Sequence, residues 1–129
     1  MENSKNYIQL NDFELYKLAR ELSRLGWSIY EKLDWQTKKV IGDQFITSTD
    51  SFGANVTEGY ARFHYLDKIK FMYNARGSLI EASDYWLELF KERKFIDQVT
   101  YDKFKNLANE SGKALNGYIK SLYKLKNGI

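Results

Sequence analysis

Ile41-Gly42-Asp43-Gln44-Phe45-Ile46-Thr47-Ser48-Thr49-Asp50-Ser51-Phe52-Gly53-Ala54-Asn55-Val56-Thr57-Glu58-Gly59 is the stretch that decides the fold. Ile41, Phe45, Ser48, Phe52, Asn55 and Gly59 step by 4, 3, 4, 3 and 4. That spacing lines one face of a helix. Three of the six seam positions, Ser48, Asn55 and Gly59, are small or polar. Such a seam lets a neighbouring helix come close and demands polar partners for whatever it buries. The chain has no proline, so nothing obligatory interrupts the pattern. A helix over 36–60 is predicted, with Asp34 as its cap.

Working outward, three more segments carry the same periodicity. Over 13–33, Leu15, Leu18, Ala19, Leu22, Gly26, Ile29 and Leu33 share a face, and Asp12 is placed to accept the free amides of the first turn. Over 65–93 the stripe is Leu66, Ile69, Met72, Tyr73, Ala75, Leu79, Ala82, Trp86, Leu89 and Phe90, along a helix roughly 40 Å long at 1.5 Å per residue. Over 100–125 it is Phe104, Leu107, Ala108, Ser111, Leu115, Tyr118, Ile119, Leu122 and Leu125, with Thr100 as N-cap and Gly128 just past the end. No segment alternates as a strand does. The linkers, near 34–35, 61–64 and 94–99, are short, which favours antiparallel neighbours. The expected fold is all-α: one up-down-up-down antiparallel four-helix bundle spanning 1–129.

Composition agrees and excludes several functions. A chain of 129 residues, 43% hydrophobic and 29% charged, is one ordinary globular domain. With no cysteine there is no disulfide, thiolate metal site or cysteine nucleophile. A di-metal carboxylate bundle needs two Glu-x-x-His elements. His64 is the only histidine, with Ala61 where the glutamate would stand; His64 reads as a loop or helix-cap residue. The glycines match no phosphate-binding spacing. No metal and no cofactor are expected. The polar N-terminus, Met1 to Leu10, lacks the apolar run of a signal peptide, and no stretch nears the ~20 apolar residues of a membrane span. A cytoplasmic protein with no membrane partner is the expectation.

The densest polar constellation is Ser51 to Gly59 followed by Asn74-Ala75-Arg76-Gly77-Ser78-Leu79-Ile80-Glu81. Asn55, Glu58, Arg76, Ser78 and Glu81 are expected to form a polar layer between the second and third helices. Arg76 would offer its planar fork to a buried Glu58. Gly59 and Gly77 would let backbones approach closely. The functional alternative makes Glu58 and Glu81 an acid/base pair, but no nucleophile or metal motif accompanies them.

Ser51, Asn55, Glu58, Gly59 and Arg62, then Ala75, Arg76, Gly77, Ser78 and Glu81, together with Phe13-Glu14-Leu15-Tyr16-Lys17-Leu18-Ala19, carry a resemblance. The chain resembles the four-helix-bundle proteins encoded in intervening sequences of bacterial 23S rRNA genes, from about Phe13 to Leu125. It departs from them at Gly53, where proline is usual, at Ala61, where glycine is usual, and at Tyr16, where tryptophan is common. Phe45, Ile46 and Thr47 stand where many relatives carry a basic pair. The resemblance implies a homopentameric ring and does not imply an enzyme. A related branch, the accessory proteins of diversity-generating retroelements, works with a reverse transcriptase and nucleic acid.

Net charge is +3. From Ser111 onward there are four lysines, Lys113, Lys120, Lys124 and Lys126, and no acids. They either favour the helix C-terminal dipole or form a basic rim for phosphates. Aromatics reach 16%. Tyr65, Tyr73, Tyr85, Trp86, Tyr101, Tyr118 and Tyr123 exceed what one core holds, so oligomer contacts, or base stacking, are expected of them. The expected function is a non-enzymatic, self-assembling bundle that contacts RNA, DNA or a protein that handles them. The competing expectation is a protein-interaction scaffold with no nucleic-acid affinity.

Overall fold

The computed structural model describes residues 9–128. The expectation of a leader-free N-terminus rests largely on residues 1–8 and lies outside them. Among the described residues four helices form: α1 (Glu14–Glu31), α2 (35–61), α3 (65–92) and α4 (Gln98–Asn127). Among the described residues there is no strand. Each helix packs on its sequence neighbours, and α4 closes back against α1. The result is the expected antiparallel four-helix bundle.

The core is the sum of the four stripes. All seven α1-stripe residues, Leu15 through Leu33, are buried. Phe45 lies between Phe90 and Phe104, with ring centroids 4.8 and 5.2 Å away. Phe52, Met72, Leu87 and Leu115 are also fully enclosed. Each such side chain contributes about 1.5–3 kcal/mol through removal from water. The α2 seam is wider than six positions, because Thr49 and Val56 are buried beside it. Its hydroxyls find partners within their own helix: Ser48 donates to Gln44 O at 2.9 Å and Thr49 to Phe45 O at 2.8 Å.

Two helices are not uniformly α. In α2 a π segment, Lys38–Gly42, follows the opening turn Trp35–Thr37 and leads into Asp43–Ala61. In α3 a π segment, Glu81–Trp86, joins Tyr65–Ile80 to Leu87–Glu92. The extra residue of a π turn shifts the facing stripe by one. Leu87 is therefore fully buried where a regular helix would bury Trp86, which is only half-buried. Leu66, Tyr73 and Leu125, expected in the core, are exposed instead.

The caps also differ from expectation. Asp34 does cap α2, accepting from Thr37 N at 2.7 Å. Asp12 does not cap α1; it ends a 3-10 turn, Leu10–Asp12, and Phe13 takes the N-cap position with no side-chain bond. Thr100 is not the cap of α4. Asp97 is, its carboxylate accepting from Thr100 N at 2.8 Å. Gly128 closes α4 in the left-handed conformation, φ 71°.

Candidate functional site

The five residues expected to form a polar layer separate into four places. Ser51, Asn55 and Ser78 do meet. Asn55 Nδ2 donates to Ser51 O at 2.9 Å and to Ser51 Oγ at 3.2 Å, and Ser78 Oγ donates to Ser51 Oγ at 3.0 Å across the α2–α3 contact. Glu58 is not with them. It pairs with Arg62, one turn along its own helix, at 2.7 Å, with the side chains 50% and 44% exposed respectively. Arg76 is exposed and lies over the Tyr73 ring at 5.9 Å. Glu81, also exposed, accepts from Trp86 Nε1 at 2.9 Å. The expected Glu58–Arg76 bridge is therefore replaced by a local surface pair. An i,i+4 partner on the same helix is reached without either side chain leaving water. Glu58 and Glu81 are each taken up by a different neighbour, so they form no acid/base pair.

The two glycines differ as sharply. A methyl group at Gly59 would collide with Met72 Cε and sit 2.9 Å from Phe71 Cβ. This is the close α2–α3 approach the sequence suggested. At Gly77 nothing lies within 4 Å. No helix of the same chain needs that glycine, and the close-packing expectation fails there. His64 occupies the N-cap position of α3 without making a side-chain cap bond.

The lysines occupy more than one place. All four are exposed. Lys113, Lys120 and Lys124 are spaced by seven and four residues and share one side of α4. Lys126 is turned away from them. Lys113 stands apart in a groove between α3 and α4 that it shares with Asp84 and Ile80. Lys120, Lys124 and Lys126 lie on the last turns of α4, which ends at the end of the bundle where the 62–64 loop joins α2 to α3. That end is braced. Phe13 packs on Tyr60 and Tyr118 at 5.4 and 4.9 Å. Lys68 Nζ donates to Tyr60 O at 2.8 Å, and burial pushes this ammonium below its usual range. The Arg62 guanidinium lies over the Phe71 ring at 4.7 Å.

The sequence did not single out a third cluster. Lys105 Nζ reaches Glu88 at 2.8 Å, Asp84 at 3.0 Å and Ser83 O at 2.7 Å, while Tyr101 donates to Glu88 at 2.5 Å. Its signal was available. Asp84 and Glu88 are four apart on α3, Tyr101 and Lys105 are four apart on α4, and the two pairs are evenly disposed about the 93–97 turn. The Lys105 hydrogen bond, then that of Tyr101, holds the Glu88 carboxyl below its usual range. Burial pulls Lys105 down, but the bonds to Glu88 and Asp84 outweigh it, so the ammonium sits above its usual range.

Elsewhere, a shallow groove of about 400 Å³ runs between α1 and α2. Four of its polar side chains pair with one another: Ser23 donates to Asp50 at 2.7 Å and Arg20 to Tyr16 at 2.8 Å. Among the described residues no group of three or more His, Cys, Asp or Glu is placed to hold a metal ion. None of the helices among those residues is long and apolar enough to cross a membrane.

Residues 11–117 match the family model of the 23S rRNA-intervening sequence protein. The structure is similar to the crystal structure of a protein with unknown function from the S23 ribosomal protein family of Bacteroides thetaiotaomicron. The TM-score is 0.78 and the identity 26%, over 88% of this chain and 99% of that one. Among curated proteins no sequence matches.

Proposed function

The chain belongs to the 23S rRNA-intervening sequence protein family, and from that premise we propose that it is a self-assembling bundle, a homopentamer, that does no chemistry of its own and binds RNA or DNA through a shared lysine rim. The observation that carries the nucleic-acid half is the acid-free C-terminal half of α4, where Lys113, Lys120, Lys124 and Lys126 all stand in water. A single copy is a weak patch. Assembly multiplies it, and phosphate contacts gain from each added charge through counterion release. The assembly half is supported by the outer face of α3, where Leu66, Tyr73 and Ile80 recur every seven residues at 62, 42 and 48% exposure. Catalysis is left out because the carboxylates best suited to it are tied to separate neighbours, Glu58 to Arg62 and Glu81 to Trp86.

The test is binding of labelled RNA and DNA over a salt series. The parent binds at low salt, and affinity falls steeply as salt rises. Replacing Lys113, Lys120, Lys124 and Lys126 with alanine weakens binding to all sequences alike and lowers the salt slope by about one unit per lost phosphate contact. If the parent retains neither nucleic acid at low salt, the scaffold without nucleic-acid affinity takes its place. That second reading has its own support: Trp35, Val40 and Val99 are exposed at the opposite end of the bundle.

A further inference from the structure

Phe63 stands 87% exposed in the 62–64 loop, at the lysine-bearing end of the bundle. We infer that Phe63 is a stacking platform for an unpaired base, so that the nucleic acid bound at this end is single-stranded. The inference deepens the lysine-rim reading and rests on it.

Three observations lead there. First, the exposure is built in. The loop is only Arg62, Phe63 and His64 between two helices. Its backbone is held at both sides, Arg62 N on Gly59 O at 3.2 Å and Lys68 N on His64 O at 3.0 Å. The Arg62 side chain is fixed between Glu58 and Phe71. A ring on so short and braced a connection stays in water because nothing lets it fold back. Second, the ring is oriented. It meets the His64 ring edge to face, with centroids 5.1 Å apart and planes at 82°. A ring held this way needs little further ordering before a flat ligand lies on it. Third, the surroundings suit a polyanion. Arg62, paired with Glu58, and His64 flank the ring in sequence, Asp67 stands in the first turn of α3, and the C-terminal half of α4, which ends at the same end of the bundle, adds Lys120, Lys124 and Lys126 with no acid of its own. An exposed aromatic beside a cationic track is the combination by which single strands are held: bases stack on the ring while phosphates follow the charges. In a duplex the π-faces of internal bases are already stacked, so Phe63 has no purchase there.

The experiment compares oligouridylate and oligothymidylate of 20 residues with a duplex of the same length, by fluorescence anisotropy at low salt, on the full chain. The parent binds the single strands more tightly than the duplex. Phe63→Ala weakens single-strand binding by about five- to a hundred-fold, leaves duplex binding unchanged and keeps the parent's mass by light scattering. Phe63→Trp restores binding, and its added fluorescence is quenched by the single strand beyond the quenching seen in the parent. Equal single-strand binding by the parent and Phe63→Ala overturns the inference while leaving the lysine rim intact. A fall in mass on Phe63→Ala overturns it too, because the ring is then a contact between copies. A parent that binds neither strand form removes the rim and the platform together.

Discussion

Lys94 sits in the left-handed region, φ 61°, just past the end of α3. Two bonds hold it there, Phe95 N to Phe90 O at 2.8 Å and Lys94 N to Lys91 O at 3.1 Å. A helix end wound back this way is usually closed by glycine, since a Cβ costs about 1–2 kcal/mol in that conformation. Glycine's greater chain entropy returns about 0.5–1 kcal/mol of the gain. Lys94→Gly is therefore expected to stabilise the chain by up to about 1 kcal/mol, read as a higher thermal midpoint; a lower one would mean the lysine side chain itself holds the turn. Gly59 gives the opposite sign. Alanine there meets Met72 Cε and Phe71 Cβ. The methionine end can move, but a Cβ on α3 cannot, so Gly59→Ala should cost about 1–3 kcal/mol by overpacking. Gly59 was legible because it ends a helical seam at the right step. The partner of Glu58 was not. Spacing says which face a residue shares, and both Arg62 and Arg76 satisfy a carboxylate; only the three-dimensional exposure of Glu58 decides for the nearer one. The cap of α4 was missed for a related reason. The apolar pattern begins at Phe104, so it marks the second turn, and the polar first turn from Asp97 carries no periodicity.

At the scale of the element, α3 and α4 are joined at the widened turn of α3. Lys105 donates to Ser83 O and Asp84 inside the π segment and to Glu88 just beyond it. A charged donor from the facing helix thus fastens the irregular turn that brings Leu87 into the core. The side chains are partly wet, Lys105 at 23% and Glu88 at 34% exposure. Lys105→Met is accordingly expected to cost about 1–2 kcal/mol, above an exposed ion pair and below a fully buried one. The pH dependence follows from the directions of the shifts. Glu88 is depressed, so its contribution is present above the ordinary carboxylate value of about 4.3 and is lost as pH falls through its lower folded value. Lys105 and Tyr101 are raised; their contributions hold below about 10 and are lost as pH rises through their folded values. The difference in thermal midpoint between parent and Lys105→Met should be flat between these limits and shrink beyond both. A difference that persists unchanged once pH has fallen well past the folded Glu88 value would show packing, not charge, at work. The sequence foretold α3 as a long helix but not its π turn. A five-residue step from Ala82 to Leu87 is its only trace, and one such step is lost among three- and four-residue ones.

At the scale of the molecule, the four stripes made the bundle legible, since each apolar face needs the others. What covers the outer face of α3 was not legible, because a heptad of Leu66, Tyr73 and Ile80 reads the same whether it meets its own chain or another. Within this chain it is covered only in part: Tyr123 of α4 bonds to Tyr73, Ile80 edges the groove against α4, and all three residues stay largely exposed. Gly77 lies between Tyr73 and Ile80 with open space above it, and this makes it diagnostic. On a free helix surface alanine is better than glycine by about 0.5–1 kcal/mol, so Gly77→Ala should stabilise a monomer. If copies close on this face, the added methyl enters a contact fitted to glycine, and the same change should weaken the assembly. We expect the second outcome. Light scattering should give the parent about five times the chain mass of 15.3 kDa, and Gly77→Ala should dissociate at higher concentration than the parent. Ile80→Glu, which places a charge in the same stripe, should release single chains with unchanged helical circular dichroism. It should also lose nucleic-acid affinity, and lose more than Lys113→Ala does although Lys113 is the one rim lysine that shares a groove with Ile80, because one rim alone is too weakly charged to hold a strand. A parent that scatters as one chain at all concentrations, or an Ile80→Glu variant that keeps both its mass and its affinity, would separate the lysines from assembly and defeat the link between them.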